Sequence, residues 1–146
     1  MSVRHRFIAA PPEAVFEVLA DGWLFPSWVV GASRIRGVDD AWPAVGAEIH
    51  HSFGVWPAVI DDTTHVVAWD APRHAHFVAQ GWPIGEATVI IDAKPRPGGC
   101  VVRMEEYASK GPGRLVPAPL MAAALNVRNV EALRRLAWLA EGRAGV

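Results

Sequence analysis

The stretch Pro117–Gly142, PAPLMAAALNVRNVEALRRLAWLAEG, decides how the rest of the chain is read. Pro117 and Pro119 fit only at or before the first turn of a helix, and Gly142 is a natural stop after the last. Between them no breaker interrupts a run rich in Ala, Leu and Arg, so the segment reads as one C-terminal helix of about six turns. At roughly 100° per residue Arg128, Glu131 and Arg135 share one face, which is expected to be wet, with Glu131 spaced to pair with Arg135. Ala122, Leu125, Asn126, Asn129, Leu133, Leu136, Ala137 and Ala140 collect opposite it. Two asparagines in an apolar stripe cost desolvation that a helix merely plugging a core has little reason to bear. The expected arrangement is a helix laid across a mostly apolar cavity with a few polar contacts.

Working outward, 146 residues and 15.8 kDa provide for one core and one domain, residues 1–146. Hydrophobic residues at 51% and charged residues at 20% are globular composition, and a net charge of −1 argues against nucleic acid or anionic lipid as a broad electrostatic partner. The first residues, MSVRHRFIAA, lack the apolar run of a secretory signal, and nothing later approaches a membrane span. A cytoplasmic protein without stable membrane insertion is therefore expected. The single cysteine, Cys100, cannot form an intrachain disulfide or, alone, a zinc cluster. Seven tryptophans, from Trp23 to Trp138, follow no fixed period and mark no repeat.

In order, Val3 to Ala9 alternates as a first strand with one buried face. Pro11 and Pro12 end it, and apolar positions Val15, Phe16 and Leu19 put a short helix over Pro12 to Ala20. The apolar DGWLFPSWVVGA that follows, broken by Gly22, Pro26 and Gly31, reads as a second short helix plus a turn. From Ser33 the pattern alternates. Strands are expected at Ser33 to Val38, Ala47 to Val55, Val59 to Asp70, His74 to Trp82, Glu86 to Lys94 and Cys100 to Ser109. Asp39-Asp40, Trp56-Pro57, Ala71-Pro72, Trp82-Pro83 and Pro97-Gly98-Gly99 supply the turns. A curved antiparallel sheet of about seven strands needs its concave face covered, and only the C-terminal helix is long enough to cover it.

This order of elements, with APPEAVFEVLAD after strand one, the aromatic WLFPSW, the WDAPR turn and the hairpin GEATVIIDAKPRPGGCVVRMEE, resembles the START-like helix-grip (SRPBCC) superfamily. Within it the chain looks most like the polyketide cyclase/dehydrase or lipid transport group. The resemblance covers nearly the whole chain. It implies an α+β helix-grip fold and members that carry or modify lipids, steroids and polyketides, serve as ring-hydroxylase domains, or bind other proteins. No catalytic signature spans the superfamily, so no residue role is transferred by motif.

Alternation assigns the pocket candidates. Val89 and Ile91 share a face on one strand, and Val102 and Met104 do so on the next, where Glu106 continues the row. An inward Glu106 without a cation would have a raised pKa suited to acid or base work; the alternative is a strand-end carboxylate reaching water. Ile49, His51 and Phe53 share a side, with His51 a base, a hydrogen-bond partner for a ligand oxygen, or a satisfied core histidine. Asn126 and Asn129 hold ligand polar groups or His51, or bond loop backbone across the mouth. Trp23, Phe25 and Trp28 line the entrance or pack the core, and Phe77 points inward beside Ala75 and Ala79. Leu125 and Leu133 complete the lining from the helix. Trp56 and Trp82 form a rim or cap the core's ends.

His65, His74 and His76 stand close in a hairpin, yet on the face expected to be solvated, and no Cys or H-E-x-x-H pattern accompanies them. Neither metal nor cofactor is therefore expected. No G-x-G-x-x-G, P-loop or G-x-S-x-G string occurs, which removes nucleotide and serine-hydrolase readings. The expected function is binding of a small hydrophobic polyketide-, lipid- or steroid-like molecule. An enzymatic role is left open: cyclisation and dehydration, implied by the resemblance, with His51 or Glu106 moving protons and the asparagines steadying an enolate-like oxygen. The alternatives are a non-catalytic carrier or sensor, and a protein-interaction module in which exposed Trp69 and Trp138 form a contact patch. Trp138, between the helix's faces, permits a homodimer contact.

Overall fold

The computed structural model describes residues 1–30, 32–55, 57–81 and 85–145, with side chains except at 33, 53–55, 58–60, 81 and 113. Strand β1 spans Ser2–Ile8, helix α1 Pro12–Ala20 and helix α2 Phe25–Trp28, which a 3-10 turn at Gly22–Leu24 precedes. Six strands follow: β2 Ala32–Val38, β3 Glu48–Val55, β4 Ala58–Asp70, β5 His74–Gly81, β6 Gly85–Arg96 and β7 Gly99–Lys110. After a second 3-10 turn at Pro112–Leu115, helix α3 runs from Ala118 to Arg143. The sheet is antiparallel and curved, in the order β1-β7-β6-β5-β4-β3-β2, so the first strand returns beside the last. This is the helix-grip fold expected from the sequence.

Local chemistry sets the boundaries. Pro12 occupies the first turn of α1, where its missing N–H removes nothing. The Asp21 carboxylate accepts from the Trp23 N–H at 3.2 Å and starts the next turn. Gly98 adopts φ +82° in the β6–β7 hairpin, and a Cβ on Gly99 would lie 2.0 Å from the Ile8 carbonyl oxygen, so both need glycine. Helix α3 overruns its expected stop by one residue; Gly142 stays helical, and Gly145 takes the left-handed conformation at φ +76°.

The buried residues of α3 begin at Asn129, near its middle, and continue with Ala132, Leu133, Leu136, Ala137 and Ala140. The apolar ones, from Ala132 on, meet Ile8, α1's Val15, Val18 and Leu19, and sheet residues Ile91, Val102 and Met104 in one core. Between Ser2 and Ile8, β1 is exposed, with Phe7 and Val3 facing out. Its even-numbered residues pair with the inward row of β7, from Ser2 opposite Glu106 to Ile8 opposite Cys100. Trp69, expected at the surface, instead packs edge-on against Phe16 at 5.3 Å and beside Phe77 at 6.4 Å. Trp138 is 60% exposed, with the Arg134 guanidinium 4.5 Å from its ring centroid. No helix among the described residues is long and apolar enough to cross a membrane.

Candidate functional site

The first half of α3 has no core beneath it. Met121, Ala124, Leu125, Arg128 and Asn129, with Ala132 at the junction with the core, instead roof a cavity of about 750 Å³ against the concave face of the sheet. Spacings of three and four residues make these one stripe, continued by Leu133, Leu136, Ala137 and Ala140 where the helix meets the core. The sheet leaves the room. Thr64, Ala79, Ala87 and Ala108 stand opposite one another in register across β4, β5, β6 and β7, and all four line the cavity. Three methyl groups in a row cannot fill the space beneath a helix held off at packing distance.

The next row is Phe77, Val89, Glu106 and Ser2, the first three lining the cavity. Phe25, Trp28, Val29 and Val30 close one end, and Pro112, Val116 and Leu120 stand at the other. Most of the lining is apolar. Thr64, Gln80, Glu86, Glu106, Arg128 and Asn129 contribute the polar and charged groups.

Glu106 points inward and is 2% exposed. It is not an unpaired carboxylate, because Arg128 donates from Nη2 to its Oε2. This overturns the wet face assigned to Arg128. The long arginine stem reaches from the flank of α3 back to β7, leaving the side chain 37% exposed with its charge on Glu106. The Glu131–Arg135 pair does form on the solvent side, at 3.0 Å.

Asn126 does not line the cavity. Its Oδ1 accepts from Ser2 Oγ at 2.5 Å, and Asn129 Nδ2 donates to the same hydroxyl at 3.5 Å. The two asparagines thus tie the roof to the start of β1, with Asn129 also reaching the cavity.

His51 is buried on the concave side but lies one layer behind the wall. Its ring stacks on Phe25, with centroids 5.4 Å apart, and Nε2 is 2.7 Å from Thr64 Oγ1. Phe25 and Thr64 face the cavity and His51 does not. Burial, the largest influence, lowers its pKa from 6.5 to about 4, so the imidazole is neutral near pH 7.

Of the other candidates, Phe25, Trp28, Phe77, Val89, Met104 and Leu125 reach the cavity. Ile49, Ile91 and Leu133 do not; all three are buried within the hydrophobic core. Trp23 is 61% exposed and lines a separate surface depression with Asp21, Asp39, Trp42 and Arg143. It belongs to the 3-10 turn at Gly22–Leu24, ahead of the helix that carries Phe25 and Trp28. Phe53 lies in β3, but its side chain falls outside the described set, as do Trp56 and Trp82.

Arg128 was missed as a lining residue, although its three- and four-residue spacing from Leu125 and Ala132 marks it. His74 Nδ1 sits 2.6 Å from Asp92 Oδ1 on the outer face. Among the described residues no group of three or more His, Cys, Asp or Glu side chains is arranged to hold a metal ion.

Residues 2–141 match the sequence profile of a family described as polyketide cyclase/dehydrase and lipid transport. The chain belongs to that family. A search of curated protein sequences returns no significant match. Among solved structures, a protein from Nitrosomonas europaea superposes with TM-score 0.73 at 16% identity, covering 97% of this chain and 94% of the other. The di-domain ARO/CYC StfQ from the steffimycin biosynthetic pathway superposes with TM-score 0.75 at 15% identity, over 99% of this chain and 51% of StfQ. Ara h 8.0201 gives TM-score 0.72 at 12% identity, covering 96% of each chain. At these identities the likeness is one of fold. All three share this family member's helix-grip architecture.

Proposed function

We propose that the protein binds a small hydrophobic molecule carrying a few oxygens, of polyketide, lipid or steroid type, between the sheet and the first half of α3. The observation that carries this reading is the cavity itself. Its volume of about 750 Å³ and mostly apolar wall with a few convergent polar groups are what a small-molecule site needs. The family description supports the same ligand class.

Holding a ligand is favoured over proton transfer. Glu106 is engaged with Arg128, and His51, withdrawn behind Thr64 with its pKa lowered to about 4, is a weak base near pH 7. A cyclising activity would rest on the cavity as a mould that folds a flexible chain into a near-attack shape.

The test is native mass spectrometry of gently purified protein, followed by identification of whatever denaturation releases. A hydrophobic molecule near one-to-one stoichiometry is expected, and Ala108→Trp, which places an indole in the cavity, should abolish its retention while the protein stays folded. A protein that carries nothing, and fails to bind polyketide, fatty-alcohol and sterol probes, refutes the reading.

A further inference from the structure

The charges in the cavity wall restrict what its ligand can carry. Among the described lining residues the charged groups are Glu86, Glu106 and Arg128, two carboxylates and one cation. The cation is committed to Glu106, which has almost no access to water. Glu86 accepts from Gln80 Nε2 at 3.2 Å and has Lys110 Nζ 3.9 Å away on the rim. No surplus positive charge therefore faces the cavity among these residues.

An ionised ligand head entering it must pull Arg128 off Glu106, stranding that carboxylate in an apolar wall, share a guanidinium whose single charge Glu106 already neutralises, or remain unpaired itself. A hydroxyl or carbonyl meets no such penalty. Thr64, Gln80 and Asn129 can donate to or accept from an uncharged oxygen, and the outer N–H groups of Arg128 can donate while its pair stays intact.

We infer that the site selects uncharged, oxygen-bearing hydrophobic ligands, alcohols, ketones or phenols, and rejects their carboxylate counterparts, with Glu106 acting as the specificity-determining residue by neutralising Arg128. This rests on the cavity being the binding site, and it adds the head-group chemistry. It also assigns Glu106 a task without proton transfer: the carboxylate prevents Arg128 from capturing an anion.

The test measures dodecan-1-ol, dodecanoate and its methyl ester by competition against a fluorescent hydrophobic probe at pH 7.5, each affinity corrected for that compound's own transfer from water. In the wild-type protein the alcohol and ester are expected to bind at least about tenfold tighter than the carboxylate after correction. Glu106→Gln frees the guanidinium and should shift the alcohol-to-carboxylate ratio at least about tenfold toward the carboxylate. Glu106→Asp, which keeps the charge, should retain the wild-type order.

A wild-type protein that binds dodecanoate as tightly as dodecan-1-ol overturns the inference while leaving the cavity reading intact, and this comparison stands even if Glu106→Gln fails to fold. A folded Glu106→Gln protein with an unchanged ratio also overturns it. If no compound binds, the cavity reading falls and the inference with it.

Discussion

Arg128→Met tests whether the roof of the cavity is held by a buried ion pair. The Glu106 side chain is 3% exposed, so removing the arginine strands a carboxylate in an apolar wall. Losing one partner of a fully buried pair costs about 3–5 kcal/mol. Arg128 keeps 37% of its side-chain surface in water, which screens the pair and lowers the expected cost to about 2–3 kcal/mol. At about 2–4 °C per kcal/mol for a chain of this size, the midpoint should fall by about 4–12 °C. Urea denaturation followed by tryptophan fluorescence measures the change directly, an unchanged slope showing that the same surface unfolds.

The decisive comparison is the double variant Glu106→Leu/Arg128→Met. With the stranded carboxylate gone, it should be at least about 1 kcal/mol more stable than Arg128→Met alone, despite carrying one more substitution. If Arg128→Met costs no more than an ordinary surface change, about 0.5 kcal/mol, the pair contributes nothing and the reasoning fails. A double variant less stable than the single refutes it equally.

Two further outcomes follow from the same geometry. Because burial lowers the pKa of His51 from 6.5 to about 4, the unfolded chain takes up a proton in this interval that the folded chain refuses. The favourable contribution of the neutral ring is complete above pH 6.5 and is lost as pH falls toward 4. Urea titrations at pH 7 and pH 5 should show His51→Gln losing about 2 kcal/mol less than wild type between them; equal losses would show that the ring titrates normally. Leu136→Ala, in the packed half of α3, should cost about 2–5 kcal/mol. Leu125→Ala, facing the cavity, should cost under about 1 kcal/mol yet weaken probe binding; equal thermal destabilisation by the two would mean that the cavity is not open space.

The periodicities in the sequence determined the scaffold. Prolines at 12, 117 and 119, the switch from helical to alternating pattern near Ser33, and the turn residues between strands place almost every element within a residue or two. These are local effects, since proline geometry and the two- and 3.6-residue periods act within a few residues of their cause. The same alternation put Glu106, Val89, Met104 and Phe77 on the concave face.

Only the tertiary structure decided what those positions do. Whether an inward side chain fills a core or lines a cavity depends on how far α3 stands from the sheet. That distance follows from side chains separated by many residues in sequence: the alanines at 79, 87 and 108, and the Ser2 tie to Asn126 and Asn129. Hence Ile49, Ile91 and Leu133, reasonable lining candidates by alternation, belong to the core, and Trp23 turns outward. The fate of Glu106 is decided in the same way. An unpaired buried carboxylate and a carboxylate neutralised by Arg128 share one strand pattern, and a contact across 22 positions separates them.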